Sequence, residues 1–309
     1  MMKSIVVLGS INTDLILQCD HLPVPGETIL SADLQNAGGG KGANQAVAMA
    51  RLGADVAMVG MVGMDGYGDQ HISAFKHEGM NTTYVYKLPK APTGTAIILL
   101  DDQGQNSIVV SPGANMHLTQ KEVTSANELF HAGAILVMQL EIPIRTVEFA
   151  AQLAKQRNMQ IIFNPAPAQM LSDGLISMID YLILNETEME IISGQKMNNE
   201  GEAVQFAKKW IAQGVKGIIL TLGAKGAWFV SVDEEFFMPP FHVEALDTTA
   251  AGDAFVGAFT KAIAEGLSHV EAMRFAAATA ALAVTQLGAQ PSLPTLKRVQ
   301  TFLAQHPSG

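Results

Sequence analysis

Asp247-Thr248-Thr249-Ala250-Ala251-Gly252-Asp253 sets two acids six positions apart around small residues. Phe255, Ala258, Phe259, Ala262 and Ile263 follow at helical spacing, so a helix is predicted to begin near Ala250 with one face turned inward. The N–H groups of Ala250, Ala251 and Gly252 would then be the unsatisfied donors of its first turn, facing the place where an anion can sit. Gly252 carries no Cβ to block that approach. A carboxylate at Asp253, beside such a nest, can take the proton of a hydroxyl as it attacks phosphorus. The same residues also fit a plain helix start, with Thr248 or Thr249 as cap and Asp253 answering the helix dipole.

A second stretch, Gly38-Gly39-Gly40-Lys41-Gly42-Ala43-Asn44-Gln45, is a glycine run opening a helix, which brings backbone amides near a polar ligand and places Asn44 on the first turn. It is not a P-loop, because Gly42 stands where Ser or Thr would follow the Gly-Lys pair. Gly38, Gly40 and Ala43 loosely fit a dinucleotide fingerprint, but Leu34-Gln35-Asn36-Ala37 is a poor preceding strand and no acid sits at the required distance, near Met58. Asn12 and Asp14 follow the first predicted strand, and Glu141 follows another, at the sheet edge where ligands bind in open α/β folds. Asn185-Glu186-Thr187-Glu188 fits a capping box. Thr221-Leu222-Gly223-Ala224-Lys225-Gly226 is a strand end and glycine turn that either serves nucleotide phosphates or only turns the chain. Gly288-Ala289-Gln290-Pro291-Ser292 reads as a helix stop. The histidines show no metal-ligand spacing, and no Gly-x-Ser-x-Gly elbow is present.

The elements that must hold these residues alternate. Strands are predicted over Ser4–Gly9, Val56–Val62, Ala134–Gln139, Gln160–Phe163, Tyr181–Leu184 and Gly217–Leu222, with a hairpin through Trp228–Val230 and Phe236–Met238. Helices are predicted over Gly39–Leu52, Tyr67–Glu78, Ile144–Arg157, Glu186–Ile192, Glu202–Gln213, Ala250–Glu265, Val270–Thr285 and Leu296–Ala304. That rhythm implies a mostly parallel sheet covered on both faces. Two segments, roughly 15–37 and 93–110, break it. Thr95–Leu100 and Ser107–Val110 read as a hairpin around Asp101-Asp102-Gln103-Gly104, and the two segments together as a small β-sheet standing off the main body. Residues 1–309 are thus expected to form one α/β domain with that addition.

With 48% hydrophobic and 16% charged residues in 309, the chain can bury a large core. A formal charge of −10 argues against nucleic acid or an anionic membrane as partner. Cys19 is the only cysteine, so no intrachain disulfide can form. The opening apolar run is too short for a signal segment or a membrane span, and a cytoplasmic location is expected.

Taken in order, these segments resemble the ribokinase family of carbohydrate kinases, from Gly9-Ser10-Ile11-Asn12-Thr13-Asp14 to Gly288-Ala289-Gln290-Pro291-Ser292. The most specific parts are the run from Gly39 to Ala46 and that from Asp247 to Asp253, with Asn164-Pro165-Ala166-Pro167-Ala168 and Asn185-Glu186-Thr187-Glu188 adding to them. The resemblance implies a ribokinase-like fold in which the small sheet is a lid that often pairs two subunits, here as a homodimer. It implies Asp253 as general base for a sugar's primary hydroxyl, with Ala250, Ala251 and Gly252 as anion hole. Asn12, Asp14, Gly40, Lys41, Gly42, Ala43, Asn44 and Glu141 match sugar-binding positions. Asn185, Thr221, Leu222, Gly223, Ala224, Lys225, Gly226, Gly252 and Ala277 match the ATP side, and Glu188 belongs to a motif associated with Mg²⁺. Asp247, Thr249, Ala283, Gln286, Gly288 and Ser292 match a site for a monovalent cation, K⁺. One departure stands out: where the family often carries a histidine against adenine, this chain has Ala277. The implied activity is ATP-dependent phosphorylation of D-ribose at O5. The alternatives are a kinase for 2-deoxyribose or another small sugar, a non-catalytic sugar sensor, and an NAD-dependent oxidoreductase that the missing strand and acid disfavour.

Overall fold

Ile5-Val6-Val7-Leu8 is apolar at every position, and it is an interior strand of a large sheet with both faces covered, the setting such a run requires. In the computed structural model, which describes residues 3–31, 33–101, 105–197 and 199–307, the chain runs β1 (Ile5–Leu8), β2 (Asn12–Cys19), β3 (Leu34–Gly39), α1 (Lys41–Arg51), β4 (Val56–Gly63), α2 (Gly66–His77) and β5 (Asn81–Leu88). It continues through β6 (Gly94–Asp101), β7 (Asn106–Ser111), α3 (Gln120–Ser125), β8 (Ile135–Met138), α4 (Ile144–Gln156), β9 (Gln160–Phe163), α5 (Asp173–Ile176), β10 (Tyr181–Asn185), α6 (Glu186–Ser193) and α7 (Glu200–Ala212). It ends with β11 (Gly217–Thr221), β12 (Ala227–Ser231), β13 (Glu235–Met238), α8 (Ala251–Glu265), α9 (His269–Ala283), α10 (Ala289–Ser292) and α11 (Leu296–Gln305).

The main sheet has the order β13-β12-β11-β10-β9-β8-β1-β4-β5. Pairing is parallel from β11 to β5 and antiparallel only through β12 and β13. Side-chain alternation divides the core. Ile5, Val7, Ile135 and Val137 pack with α1, α8 and α9, whereas Val6, Leu8, Leu136 and Met138 pack on the opposite face with α4 and α7. A second sheet, β3-β2-β6-β7, receives the chain directly from β1. The crossing from β1 into β2 therefore sets Asn12 and Asp14 at the junction of the two sheets, above the carboxyl edge of the first.

α1 and α8 pack closely on one another. A Cβ built on Gly257 would stand 2.7 Å from Ala48 Cβ and 3.1 Å from the Gln45 carbonyl oxygen, so only glycine admits this approach. That contact is what brings the first turn of α1 beside the first turn of α8.

The helix and strand pattern read from the sequence is present, with differences where apolar content is low. β5, half exposed and alternating in burial, is an edge strand that the sequence reading leaves out. The segment 15–37, read as irregular, carries the greater part of β2 and most of β3 at its ends. The hairpin of 95–110 is β6 and β7, while the turn residues Asp102, Gln103 and Gly104 lie outside the described residues. Among the described residues no helix is long and apolar enough to cross a membrane.

Candidate active site

α8 begins one residue later than expected, at Ala251, after a turn closed by the Ala251 N–H on the Thr248 carbonyl at 3.2 Å. That turn holds Ala250 at φ +59°, a left-handed conformation rarely taken by a residue with a Cβ and most often kept at functional sites. The turn corrects the expected set of open donors. The Ala251 amide is used within the chain, while those of Ala250, Gly252 and Asp253 have no acceptor among the described residues. Beneath them lies Asp253, buried on α8. Its Oδ2 accepts from Asn44 Nδ2 at 3.0 Å and its Oδ1 from Gln45 Nε2 at 2.9 Å. A Cβ on Gly252 would meet no protein atom, so packing does not ask for glycine there.

This end of α8 borders a cavity of about 220 Å³ lined by Lys41, Asn185, Glu188, Thr221, Gly252 and Asp253 among others. Two larger cavities, of about 500 Å³ each, lie beside α7 and beside Pro143–Arg145. Neither includes Asp253, and the chemistry therefore singles out the smaller one.

On the side of the second sheet, Asp14 is buried on β2, and its carboxyl group fills the space where a Cβ on Gly39 would be. Burial first, and then the nearby charges of Glu141 and Asp253, push its pKa up to about 7. Asn12 is fixed by Asn115, whose Nδ2 donates to Asn12 Oδ1 at 2.7 Å while its Oδ1 accepts from the Ile11 amide. Glu141 Oε2 accepts from Ser10 Oγ at 2.5 Å and from the Lys41 amide at 3.0 Å. The Gly42 amide goes to Ser10 Oγ and the Ala43 amide to the Ser10 carbonyl, so these two residues shape the loop and offer no free donor. Gly40, at φ +85°, turns the chain into α1. Burial works against the charge on Lys41, but the carboxylates of Asp253, Glu141 and Glu188 outweigh it and hold its pKa above the ordinary lysine value. Asn12, Asp14, Lys41, Asn44, Glu141 and Asp253 are thus gathered at one place.

Asn185 and Glu188 form the capping box expected of their spacing. Asn185 Oδ1 accepts from the Glu188 amide at 2.8 Å, and Glu188 Oε2 accepts from the Asn185 amide at 2.9 Å. Glu188 nevertheless lines the cavity, where burial raises its pKa against the opposing pull of the Asn185 amide and Lys41. Thr221 borders the same cavity, and its Oγ1 donates to the Leu184 carbonyl. The turn Gly223–Gly226 does not reach it. Lys225 is exposed, with Nζ 3.5 Å from Glu186 and 4.0 Å from Glu200, and it shares a separate cavity with Leu222. Gly223, Ala224 and Gly226 complete that turn, and Ala277 is half-buried on α9.

Asp247 ties two loops together. Its Oδ1 accepts from the Thr249 amide and its Oδ2 from the Gly288 amide, both at 2.8 Å, while its own amide donates to the Val284 carbonyl. The Ala283 carbonyl accepts from the Gln286 amide, and buried Ser292 Oγ donates to the Ala289 carbonyl at 2.8 Å. The segment entering α8 is in this way joined to the connection between α9 and α10. One carboxylate amid backbone carbonyls is a donor set suited to a large, weakly hydrated monovalent ion. Among the described residues no group of three or more His, Cys, Asp or Glu could hold a metal ion.

Four amide side chains at this site were given no role by sequence reasoning, though Gln45 and Asn164 stand in the motifs it singled out. Gln45, Gln139, Asn164 and Asn115 are all buried and hydrogen-bonded to one another or to site residues. Asn and Gln carry no charge or metal-ligand spacing to mark them. The one available signal is a polar residue in an apolar setting, as Gln139 is after Ile135–Met138.

The sequence pattern of the pfkB family carbohydrate kinases matches residues 2–296. A ribokinase of Haemophilus influenzae is 44% identical over 303 residues, covering 98% of this chain and 99% of the relative. A deoxyribokinase of Salmonella typhi is 36% identical over 301 residues, covering 97% and 98%. Among solved structures, the Arabidopsis thaliana ribokinase complexed with ribose and ATP superposes with a TM-score of 0.89 at 34% identity, covering 98% of this chain and 99% of that one.

The open amides at α8 yield a test. Gly252→Ala sets a methyl group in free space beside them. The variant should melt at or slightly above the wild-type temperature, because alanine is favoured over glycine within a helix by roughly 0.5–1 kcal/mol. Its affinity for a nucleoside triphosphate, read by titration calorimetry, should fall by about tenfold or more, or about 1.4 kcal/mol. Unchanged affinity would mean that these amides do not face the phosphates.

Proposed function

The chain belongs to the pfkB family of carbohydrate kinases, and from that membership we propose that it transfers the γ-phosphoryl group of ATP to O5 of D-ribose, giving D-ribose 5-phosphate and ADP. The observation that carries the reading is the meeting of buried Asp253 with open amides of α8, within charge range of Asp14. Asp253 takes the O5 proton as that oxygen attacks phosphorus, and the amides of Ala250, Gly252 and Asp253 receive the charge that develops on the phosphoryl oxygens. Asn12, Asp14, Lys41, Asn44 and Glu141 orient the sugar, and Gly40, Gly42 and Ala43 hold the loop that carries Lys41. Once ionised, Asp14 accepts hydrogen bonds from two ring hydroxyls.

On the nucleotide side we assign Asn185, Thr221 and the turn Leu222–Gly226, with Ala277 against the base. Mg²⁺ bound with ATP would supply charge neutralisation for the phosphates, and Glu188 is the cavity acid that would act on it indirectly. A K⁺ ion at Asp247, Thr249, Ala283, Gln286, Gly288 and Ser292 would fix the loop whose amides receive the phosphoryl group. The second sheet serves as a lid over the sugar. Its exposed Leu34, Ile97, Ile108, Val109 and Val110 support pairing with a second copy as a homodimer. The use of ATP favours the cytoplasm as location.

The deoxyribokinase relative gives 2-deoxyribose a specific claim as substrate. A site that hydrogen-bonds a hydroxyl leaves buried groups unpaired when that hydroxyl is missing. In a coupled ADP-release assay across ribose, 2-deoxyribose, fructose and adenosine, kcat/KM for ribose should exceed that for 2-deoxyribose by at least roughly tenfold. The ribose value should rise with pH through about 7 as Asp14 loses its proton, and Asp14→Ala should erase much of the gap. Equal efficiency on the two sugars would favour the deoxyribose reading, and no turnover on any sugar would favour a sensor. In a second assay, at fixed ionic strength and saturating Mg·ATP, KCl should raise kcat substantially over NaCl, and Asp247→Ala should lose the response. Misplaced amides can cost roughly 100-fold in rate. Identical salt curves would remove the cation site.

A further inference from the structure

Asp253 stands at the end of a chain of buried amides. Gln45 has no exposed surface, and its Nε2 donates both to Asp253 Oδ1 at 2.9 Å and to Asn164 Oδ1 at 3.1 Å. Turned over, the same amide would set its oxygen against the Asp253 carboxylate. Gln139, after β8, prevents this by donating from Nε2 to Gln45 Oε1 at 2.6 Å. Asn164, after β9, is held in turn by donating to the Ile183 carbonyl of β10 at 3.0 Å. The network thus follows the carboxyl edge of three adjacent strands, β8, β9 and β10.

Gln139 is a costly residue to keep there. It is fully buried, its Oε1 has no hydrogen-bond partner, and a Cβ on Gly9 would overlap that oxygen. An apolar side chain of the same size would avoid the unpaired acceptor. What it would not supply is the donor that sets the sense of the Gln45 amide.

We propose that Gln139 and Gln45 are positioning residues for the base. Gln139 fixes the amide of Gln45 so that a donor always faces Asp253 Oδ1, which holds that oxygen in place and keeps the carboxylate aimed at the attacking hydroxyl. Neither side chain lines the cavity at Asp253. The proposal rests on Asp253 being the base. The other charged groups that act on Asp253 are Asp14 from β2, Lys41 from α1 and Glu188 from α6. All three are retained in the variants below, and only Gln139→Glu adds a charge, so Gln139→Met and Gln45→Met report on the amides.

The test uses Gln139→Glu and Gln139→Met, which differ little in size and oppositely in polarity. A carboxylate at 139 draws the Gln45 amide round and leaves oxygen facing Asp253. For Gln139→Glu, kcat should fall at least about tenfold, with ribose KM changed less than about threefold. Gln139→Met deletes the donor without adding a charge and leaves only Asp253 and Asn164 to orient Gln45, so kcat should fall by about threefold to tenfold, less than in Gln139→Glu, with ribose KM again little changed. Should Gln139→Glu fail to fold, Gln45→Met decides, because it deletes the donor to Asp253 and should lose kcat at least about tenfold with ribose KM little changed. Wild-type kcat in Gln139→Met or Gln45→Met, or equal losses in the two Gln139 variants, overturn the proposal while leaving an active kinase. A wild-type protein that releases no ADP with any sugar overturns the proposed function, and this proposal with it.

Discussion

Four carboxylates and one ammonium share a single region, and the rest of the architecture answers to that imbalance. Asp14, Glu141, Glu188 and Asp253 act on one another or on Lys41. Burial first, and like charges at such range after it, resist ionisation, and the effect is seen at Asp14, whose value is pushed up to about 7 from 3.8. Because the folded value lies above the unfolded one, this carboxyl weakens the native state progressively as pH rises from about 4 to about 7, and by a constant amount above that. Stability is given up at the junction of the two sheets, beside Glu141 and Asp253. Lys41, by contrast, gains from the same crowd and keeps its charge despite burial. Main-chain donors supply the remaining positive potential, at the start of α8 and along the loop into α1.

The fold meets this requirement by geometry. The leap from β1 to β2 carries Asn12 and Asp14 from one sheet to the other, and the close approach at Gly257 sets Asn44 and Gln45 against Asp253. Strain is stored where the amides open, in the left-handed Ala250. Asp247 then clamps the strained turn to the α9–α10 connection through two amides.

Much of this was legible in the residues themselves. The βα rhythm gave the main sheet because parallel strands buried on both faces read as unbroken apolar runs, as Ile5–Leu8 does. β5 was not legible, since Asn81–Leu88 is an edge strand with polar residues on its exposed side. At α8 the helix start and the acid were evident, but the turn that consumes the Ala251 amide depends on a backbone angle that alanine rarely adopts. Asn185 and Glu188 fit both readings at once, as a cap and as cavity wall. Lys225 stands apart from the cavity at Asp253, with Glu186 and Glu200, near it only in space, within 4.0 Å of its ammonium. The roles of Gln45 and Gln139 were not legible, because an uncharged amide has meaning only through the partner it faces.

The most direct measurement is the turnover of Asp253→Asn, taken beside its affinity for ribose. Asparagine keeps the shape of the helix start but cannot accept the hydroxyl proton. Turnover is expected to fall by about 10²–10⁴ while ribose binding stays nearly unchanged. Near wild-type turnover in that variant would contradict the account and leave Asp253 as no more than the first acid of a helix.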